Sequence, residues 1–146
     1  MLSVDPRKCC YCYSCVLACS FFNVEEFSPA RAKIRVLESK EGHGIPLLCL
    51  QCPTHPCVDA CPTGALRLED GVVKVDEEIC VGCGNCEQAC PIRAIWISEG
   101  KAVKCELCSL DPPCAKYCPT GAIQLTDSLE KVEESIRSIT TLRRTS

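Results

Sequence analysis

Short stretches of alternating apolar and polar residues recur along the chain. Ala65 to Val75 (ALRLEDGVVKV) alternates on either side of Asp70-Gly71, and Ala94 to Lys104 (AIWISEGKAVK) does so around Glu99-Gly100. A turn-forming pair between two such runs predicts a tight β-hairpin. Lys33 to Leu37 and Ile45 to Leu48 read as strands pairing across the turn-rich Glu41-Gly42-His43-Gly44, and Ala122 to Leu125 as a further short strand. The period changes near the end. Leu129, Val132, Ile136 and Ile139 recur at helical intervals, which predicts a helix over Asp127 to Arg144, docked on the outside or on a partner. The elements describe an α+β chain of short hairpins and short helices.

What punctuates these elements is cysteine. Sixteen of the 17 cysteines fall into four quartets: Cys9, Cys12, Cys15, Cys19; Cys49, Cys52, Cys57, Cys61; Cys80, Cys83, Cys86, Cys90; and Cys105, Cys108, Cys114, Cys118. The third quartet, followed by Pro91, has the bacterial ferredoxin spacing that wraps a chain around an iron–sulfur cube. The three residues before each fourth cysteine, such as Glu87-Gln88-Ala89, suit one helical turn that sets Cys86 and Cys90 on the same face. Pro62, Pro91 and Pro119 then turn the chain away. Few large apolar side chains are left for a conventional core, so the clusters themselves are expected to occupy the interior, and folding to depend on their insertion.

Other uses of so much cysteine fit less well. The segment from Met1 to Lys8 has neither a charged region nor the apolar stretch of a secretory signal. No apolar run approaches the roughly 18 residues that span a bilayer. A cytoplasmic setting is expected, where thiols bind metal rather than pair, and the odd count forbids complete pairing. Zinc ribbons separate two C-x2-C pairs, whereas the first and third quartets add a third cysteine two residues later, as three corners of a cube require. The formal charge is −3 with neutral cysteines. Four oxidised cubanes at about −2 each would bring it to roughly −11, which argues against nucleic acid as a partner.

In two-cluster ferredoxins the fourth cysteine of one run ligates the cluster held by the other. The nested order of the quartets extends this exchange. Cys49, Cys52, Cys57 and Cys90 would hold one cluster, and Cys80, Cys83, Cys86 and Cys61 its neighbour. Cys9, Cys12, Cys15 and Cys118 would hold a third, and Cys105, Cys108, Cys114 and Cys19 a fourth. The implied organisation is a nested pair of ferredoxin-like modules within residues 1–126. The outer module would take 5–40 plus 102–126, the inner 41–101, and 127–146 would form the C-terminal helix and tail. Cys10 is left over and reads as a buried thiol packing like a small hydrophobe, with an alternative role as a ligand during assembly. His43 and His55 read as polar loop residues. Trp96, Tyr11 and Tyr13 would seal clusters from water or lie on an electron path. Arg137, Arg143 and Arg144 form a solvated helix face or steer a partner.

The four quartets, with wider gaps in the second and fourth, resemble the four-cluster ferredoxin subunits of the dimethyl sulfoxide reductase B type over about Asp5 to Leu125. The resemblance implies four [4Fe-4S] clusters on the sixteen cysteines above. The stretch FSPARAKIRV (Phe27 to Val36), in a short chain without inserted loops or a membrane tail, resembles the small subunits that accompany tungsten-dependent aldehyde oxidoreductases and related carbon monoxide- or hydrogenase-linked ferredoxins. It implies a tungsten or molybdenum pterin catalytic subunit as partner, with a soluble ferredoxin or flavin subunit as acceptor, and no insertion into a membrane. No nucleophile–base pair, phosphate loop or open metal site is visible, so the expected role is non-catalytic electron transfer. The alternatives are a free-standing polyferredoxin, or a ferredoxin-like subunit of a hydrogenase, formate dehydrogenase or carbon monoxide dehydrogenase system.

Overall fold

The computed structural model describes residues 1–144. Among these, four two-stranded antiparallel sheets alternate with five short α-helices. Two hairpins have the expected turns. β4 (Leu66–Glu69) and β5 (Val72–Val75) join through Asp70 and Gly71, while β6 (Trp96–Ser98) and β7 (Lys101–Val103) join through Glu99 and Gly100. All four turn residues have positive φ, between 50° and 77°, the geometry whose twist matches the flanking strands.

β2 (Arg35–Glu38) pairs with β3 (Gly44–Leu47), so Gly44, expected in the turn, is the first strand residue. The reason is a close approach: a Cβ at Gly44 would sit 2.5 Å from Cys9 Sγ. The remaining strand pair was not foreseen at one edge. β1 (Leu2–Val4) lies antiparallel to β8 (Ile123–Leu125), with Leu2 opposite Leu125 and Val4 opposite Ile123, closing the two ends of the chain on each other.

The helices carry cysteines. α2 (Pro56–Asp59), α3 (Asn85–Ala89) and α4 (Pro113–Lys116) are single turns; α2 and α4 begin with proline, which supplies the φ that a first helical residue needs. α1 (Ser14–Val24) runs three turns because no proline follows its second cysteine, Cys19. α1 packs on α4, and α2 on α3.

The interior differs from expectation. A continuous apolar core joins Leu2, Val16, Ile34, Ile45, Leu48 and Ile123, all at most 2 % exposed, and a smaller one lies around Ala65, Leu66, Val73 and Ile95. The strands are short, but β3 is buried at all four positions and each of the others turns at least one residue inward, which suffices to build a core beside the cysteines. α5 (Leu129–Arg144) belongs to it: the helix packs on β1 and β3, and Val132 and Ile139 are wholly buried. Ser135 fixes the joint by accepting the Val4 N–H at 2.9 Å while donating to the Lys131 carbonyl at 2.6 Å. Among the described residues, no helix is long and apolar enough to cross a membrane.

Candidate metal centres

Cys49, Cys52, Cys57 and Cys90 line one cavity, walled otherwise mainly by Leu50, Pro56, Ile92, Ala94 and Ile95. Cys61, Cys80, Cys83 and Cys86 line a second, with Leu66, Val81, Ile97 and Ala102. Three sulfurs of each set come from one quartet and the fourth from its neighbour. The same mixing recurs elsewhere. Cys15 feels the charge of Cys9, Cys118 and Cys12, while Cys114 feels Cys105, Cys19 and Cys108. Asn23 Nδ2 stands 3.6 Å from Cys19 Sγ and 3.8 Å from Cys108 Sγ, spanning two quartets.

One local device aims each fourth cysteine. Its sulfur accepts a backbone N–H from just before or at the start of the following strand: Lys33 to Cys19 at 3.3 Å and Ala94 to Cys90 at 3.3 Å, with Leu66 serving Cys61 and Ile123 serving Cys118. Cys61 and Cys118 each open a Cys-Pro-Thr-Gly-Ala segment, and in both the threonine hydroxyl lies 3.7 Å from the sulfur. Burial pulls both thiols up, but these donors outweigh it and leave the two below the ordinary cysteine value.

Cys86 and Cys90 do not share a face, contrary to the sequence reading. Cys90 already has extended backbone (φ −70°, ψ 122°), because Pro91 after it excludes helical geometry, and its sulfur swings to the other cavity.

Deeper thiols shift the other way. Burial, then the neighbouring Cys9 and Cys118, push Cys15 up to about 12. Burial and Cys49 push Cys57 up to about 11, and burial pushes Cys105 up to about 12. Thiols crowded like this ionise together only around a compact cationic core. The donor set is all sulfur, the walls are apolar, and backbone N–H groups point at the sulfurs. Those features fit an iron–sulfur cube, whose iron would supply the positive charge that the thiolates balance. Among the described residues, no three Cys, His, Asp or Glu side chains converge closely enough for a single metal ion.

The two exchange pairs meet. Cys105 feels Cys49, and Cys114 feels Cys15, so the Cys105 group adjoins both the Cys49 and the Cys9 groups. At the junction Gln51, 2 % exposed, accepts the Val73 N–H through Oε1 at 2.9 Å and donates to the Cys105 carbonyl through Nε2 at 2.9 Å. Lys104 bridges the same two residues. Neither side chain was singled out from the sequence. Only the position of Lys104 immediately before a C-x2-C pair offered a hint.

Cys10 is exposed, not buried as expected, because the loop turns Cys9 inward beside Gly44 and leaves its neighbour outside. His43 is exposed, 3.9 Å from Glu41. His55 is half-buried in the loop between Cys52 and Cys57, with Nδ1 buried and without a hydrogen-bond partner. Trp96 is buried under the Arg35 guanidinium, 4.0 Å from its ring. Tyr11 and Tyr13 meet edge to face at 5.2 Å. Arg143 turns back to donate to the Ile92 carbonyl, so it is not part of a solvated steering face.

Residues 42–128 match the family described as 4Fe-4S dicluster domain. The chain is 40% identical over 119 residues to the aliphatic sulfonate oxidoreductase polyferredoxin-like subunit of Pyrococcus furiosus, covering 79% of this chain and 69% of that one. An uncharacterized ferredoxin of Methanocaldococcus jannaschii is 35% identical over 143 residues, covering 94% and 87%. The thiosulfate reductase electron transfer subunit of Salmonella typhi is 34% identical over 137 residues, covering 82% and 71%.

Proposed function

The chain belongs to the 4Fe-4S dicluster ferredoxin family, and we propose that it relays electrons through four [4Fe-4S] clusters between a catalytic subunit and a redox carrier. It carries multiple [4Fe-4S] clusters and is an iron–sulfur electron-transfer subunit of oxidoreductase complexes. The number and seating of the clusters are our reading. Cys9, Cys12, Cys15 and Cys118 hold the first; Cys105, Cys108, Cys114 and Cys19 the second; Cys49, Cys52, Cys57 and Cys90 the third; and Cys80, Cys83, Cys86 and Cys61 the fourth. The observation that carries it is the mixed lining of the two cavities, three cysteines from one quartet and one from another. This is the exchange that two-cluster ferredoxins use. On this reading residues 1–126 form two nested modules, the inner spanning 41–101.

The clusters, when bound, would supply one-electron chemistry. The protein's part is to hold the four groups in a row, keep water from the sulfurs with apolar walls, and aim N–H donors at them. No bond chemistry is assigned to its own side chains, and we place its work in the cytoplasm.

An exposed aromatic patch favours a bound subunit over a freely diffusing carrier. Phe27 is 70% exposed, Phe22 58% and Tyr117 56%; Phe27 stacks on Phe21, and Phe22 meets Tyr117 beside Cys108. Contiguous exposed aromatics of this kind mark protein contact surfaces. Phe27 also opens the FSPARAKIRV stretch, whose resemblance supports a tungsten or molybdenum pterin aldehyde oxidoreductase as the catalytic partner, with a ferredoxin or flavin subunit as acceptor.

Anaerobically isolated protein is expected to contain about 16 iron and 16 acid-labile sulfide per chain, as four cubanes require. Stoichiometric zinc, or only two clusters, would overturn the seating. In the native host the chain should copurify with a pterin enzyme, and alone it should accept electrons from dithionite yet oxidise no aldehyde. A hydrogenase or carbon monoxide dehydrogenase as the stoichiometric partner would sink the aldehyde oxidoreductase branch and leave electron transfer intact.

A further inference from the structure

Lys104 is 1% exposed. Nζ donates to the Val73 carbonyl at 2.5 Å and to the Cys105 carbonyl at 2.8 Å. None of the ion pairs among the described residues includes it, and the adjacent Glu106 pairs with Lys33 at 3.6 Å instead. Burying a lysine charge without an anion is costly, and such groups are kept only where something compensates them. Two carbonyl dipoles do part of this. Lys104 also lines the cavity of Cys49, Cys52, Cys57 and Cys90, and its charge favours the thiolates of Cys57 and of Cys105.

A mechanical role does not account for the choice of lysine. Gln51, a neutral amide, already ties Val73 to Cys105 through both of its polar atoms. What Lys104 adds to that link is a fixed positive charge at the junction where Cys49 and Cys105 face each other.

We propose that the Lys104 ammonium is the buried counter-charge of the cluster held by Cys49, Cys52, Cys57 and Cys90, raising its reduction potential at the step where electrons cross between the two exchange pairs. The inference rests on the seating proposed above. One electron arriving at this site adds one negative charge; no bond breaks and no proton moves. A fixed cation in a poorly screened interior stabilises the reduced state more than the oxidised one. The lysine in turn gains an anion that no ion pair among the described residues gives it. In role Lys104 is a positioning residue for charge; it is not a ligand.

The test is an EPR-monitored potentiometric titration of the intact holoprotein, anaerobically, for wild type, Lys104→Met, Lys104→Gln and Lys104→Arg. The relevant signal is the one that Cys90→Ser alters. Both neutral variants should keep the wild-type iron and sulfide content. At the wild-type midpoint their reduced-to-oxidised ratio at this cluster should fall at least tenfold, a downward shift of about 59 mV or more for a one-electron couple. Lys104→Arg, which keeps the charge, should shift far less, and the Cys80 cluster should move less than the Cys49 cluster in every variant. An unchanged midpoint in a fully loaded neutral variant overturns the proposal. Loss of the cluster from both neutral variants assigns Lys104 to assembly and overturns it as well. The seating fails separately, by a shortfall of iron in the wild-type protein before any variant is made.

Discussion

Cys86 and Cys90 are four residues apart across a single helical turn, yet their sulfurs line different cavities. Cys86 joins Cys61, Cys80 and Cys83, while Cys90 joins Cys49, Cys52 and Cys57. The backbone between them is therefore also the wall between the two cavities, and on the proposed seating an electron crossing it would pass through one turn of protein.

Replacing Cys90 with Ser is expected to disturb the cluster of Cys49, Cys52 and Cys57 and to spare that of Cys80, Cys83 and Cys86. Complete loss would remove about a quarter of the iron. Spectra of the holoprotein, paired with a Cys83→Ser variant for comparison, report which signal changes. A Cys90→Ser change confined to the signal that Cys83→Ser removes would refute the crossing.

The exposed Cys10 thiol, which hydrogen-bonds to Cys12 in the same loop, should be dispensable. Cys10→Ser is expected to leave iron and sulfide unchanged, and the native holoprotein should take up one equivalent of an alkylating reagent, at position 10. Loss of a cluster in this variant would make Cys10 a ligand.

Gly82 lies in the loop between Cys80 and Cys83 with φ +70°, and a Cβ there would come 2.4 Å from the Gly100 carbonyl oxygen. Gly82→Ala therefore meets both backbone strain, about 1–2 kcal/mol for a left-handed residue, and a clash with the β6–β7 turn. A lower anaerobic melting temperature and iron missing from the Cys80 seat are expected. Full iron at an unchanged melting temperature would show that the turn yields freely.

Truncating Ile139 to Ala removes a wholly buried side chain between α5 and the sheet and should cost about 2–5 kcal/mol. Ser135→Ala leaves the Val4 N–H without its acceptor, at about 1–3 kcal/mol. Leu129→Ala, at a site 51% exposed, should stay within about 0.5 kcal/mol. Thermal unfolding of holoprotein ranks the three. Equal, small effects would mean that α5 rests on the surface without stabilising it.

Local chemistry was legible in the sequence wherever one short segment decides the outcome. Asp70-Gly71 and Glu99-Gly100 specify their turns because only those pairs sit between alternating runs, and the helical interval from Leu129 to Ile139 needs no partner to be read. The cysteine spacing identified iron–sulfur chemistry because three thiols on one tight loop match three corners of a cube. What tertiary structure alone decided depends on residues far apart in the chain. β1 was invisible because its partner, β8, lies at the other end. The few inward residues of several weak strands add up to a real apolar core only once they are stacked. Cys10 and Cys9 exchange inside for outside through one glycine, Gly44, that is near only in space. Lys104 looked like any lysine before a cysteine; its burial and its place at the Cys49 cavity arise when Val73, Gln51 and Cys105 are folded around it. A charge has meaning only relative to what surrounds it, and sequence order does not contain those distances.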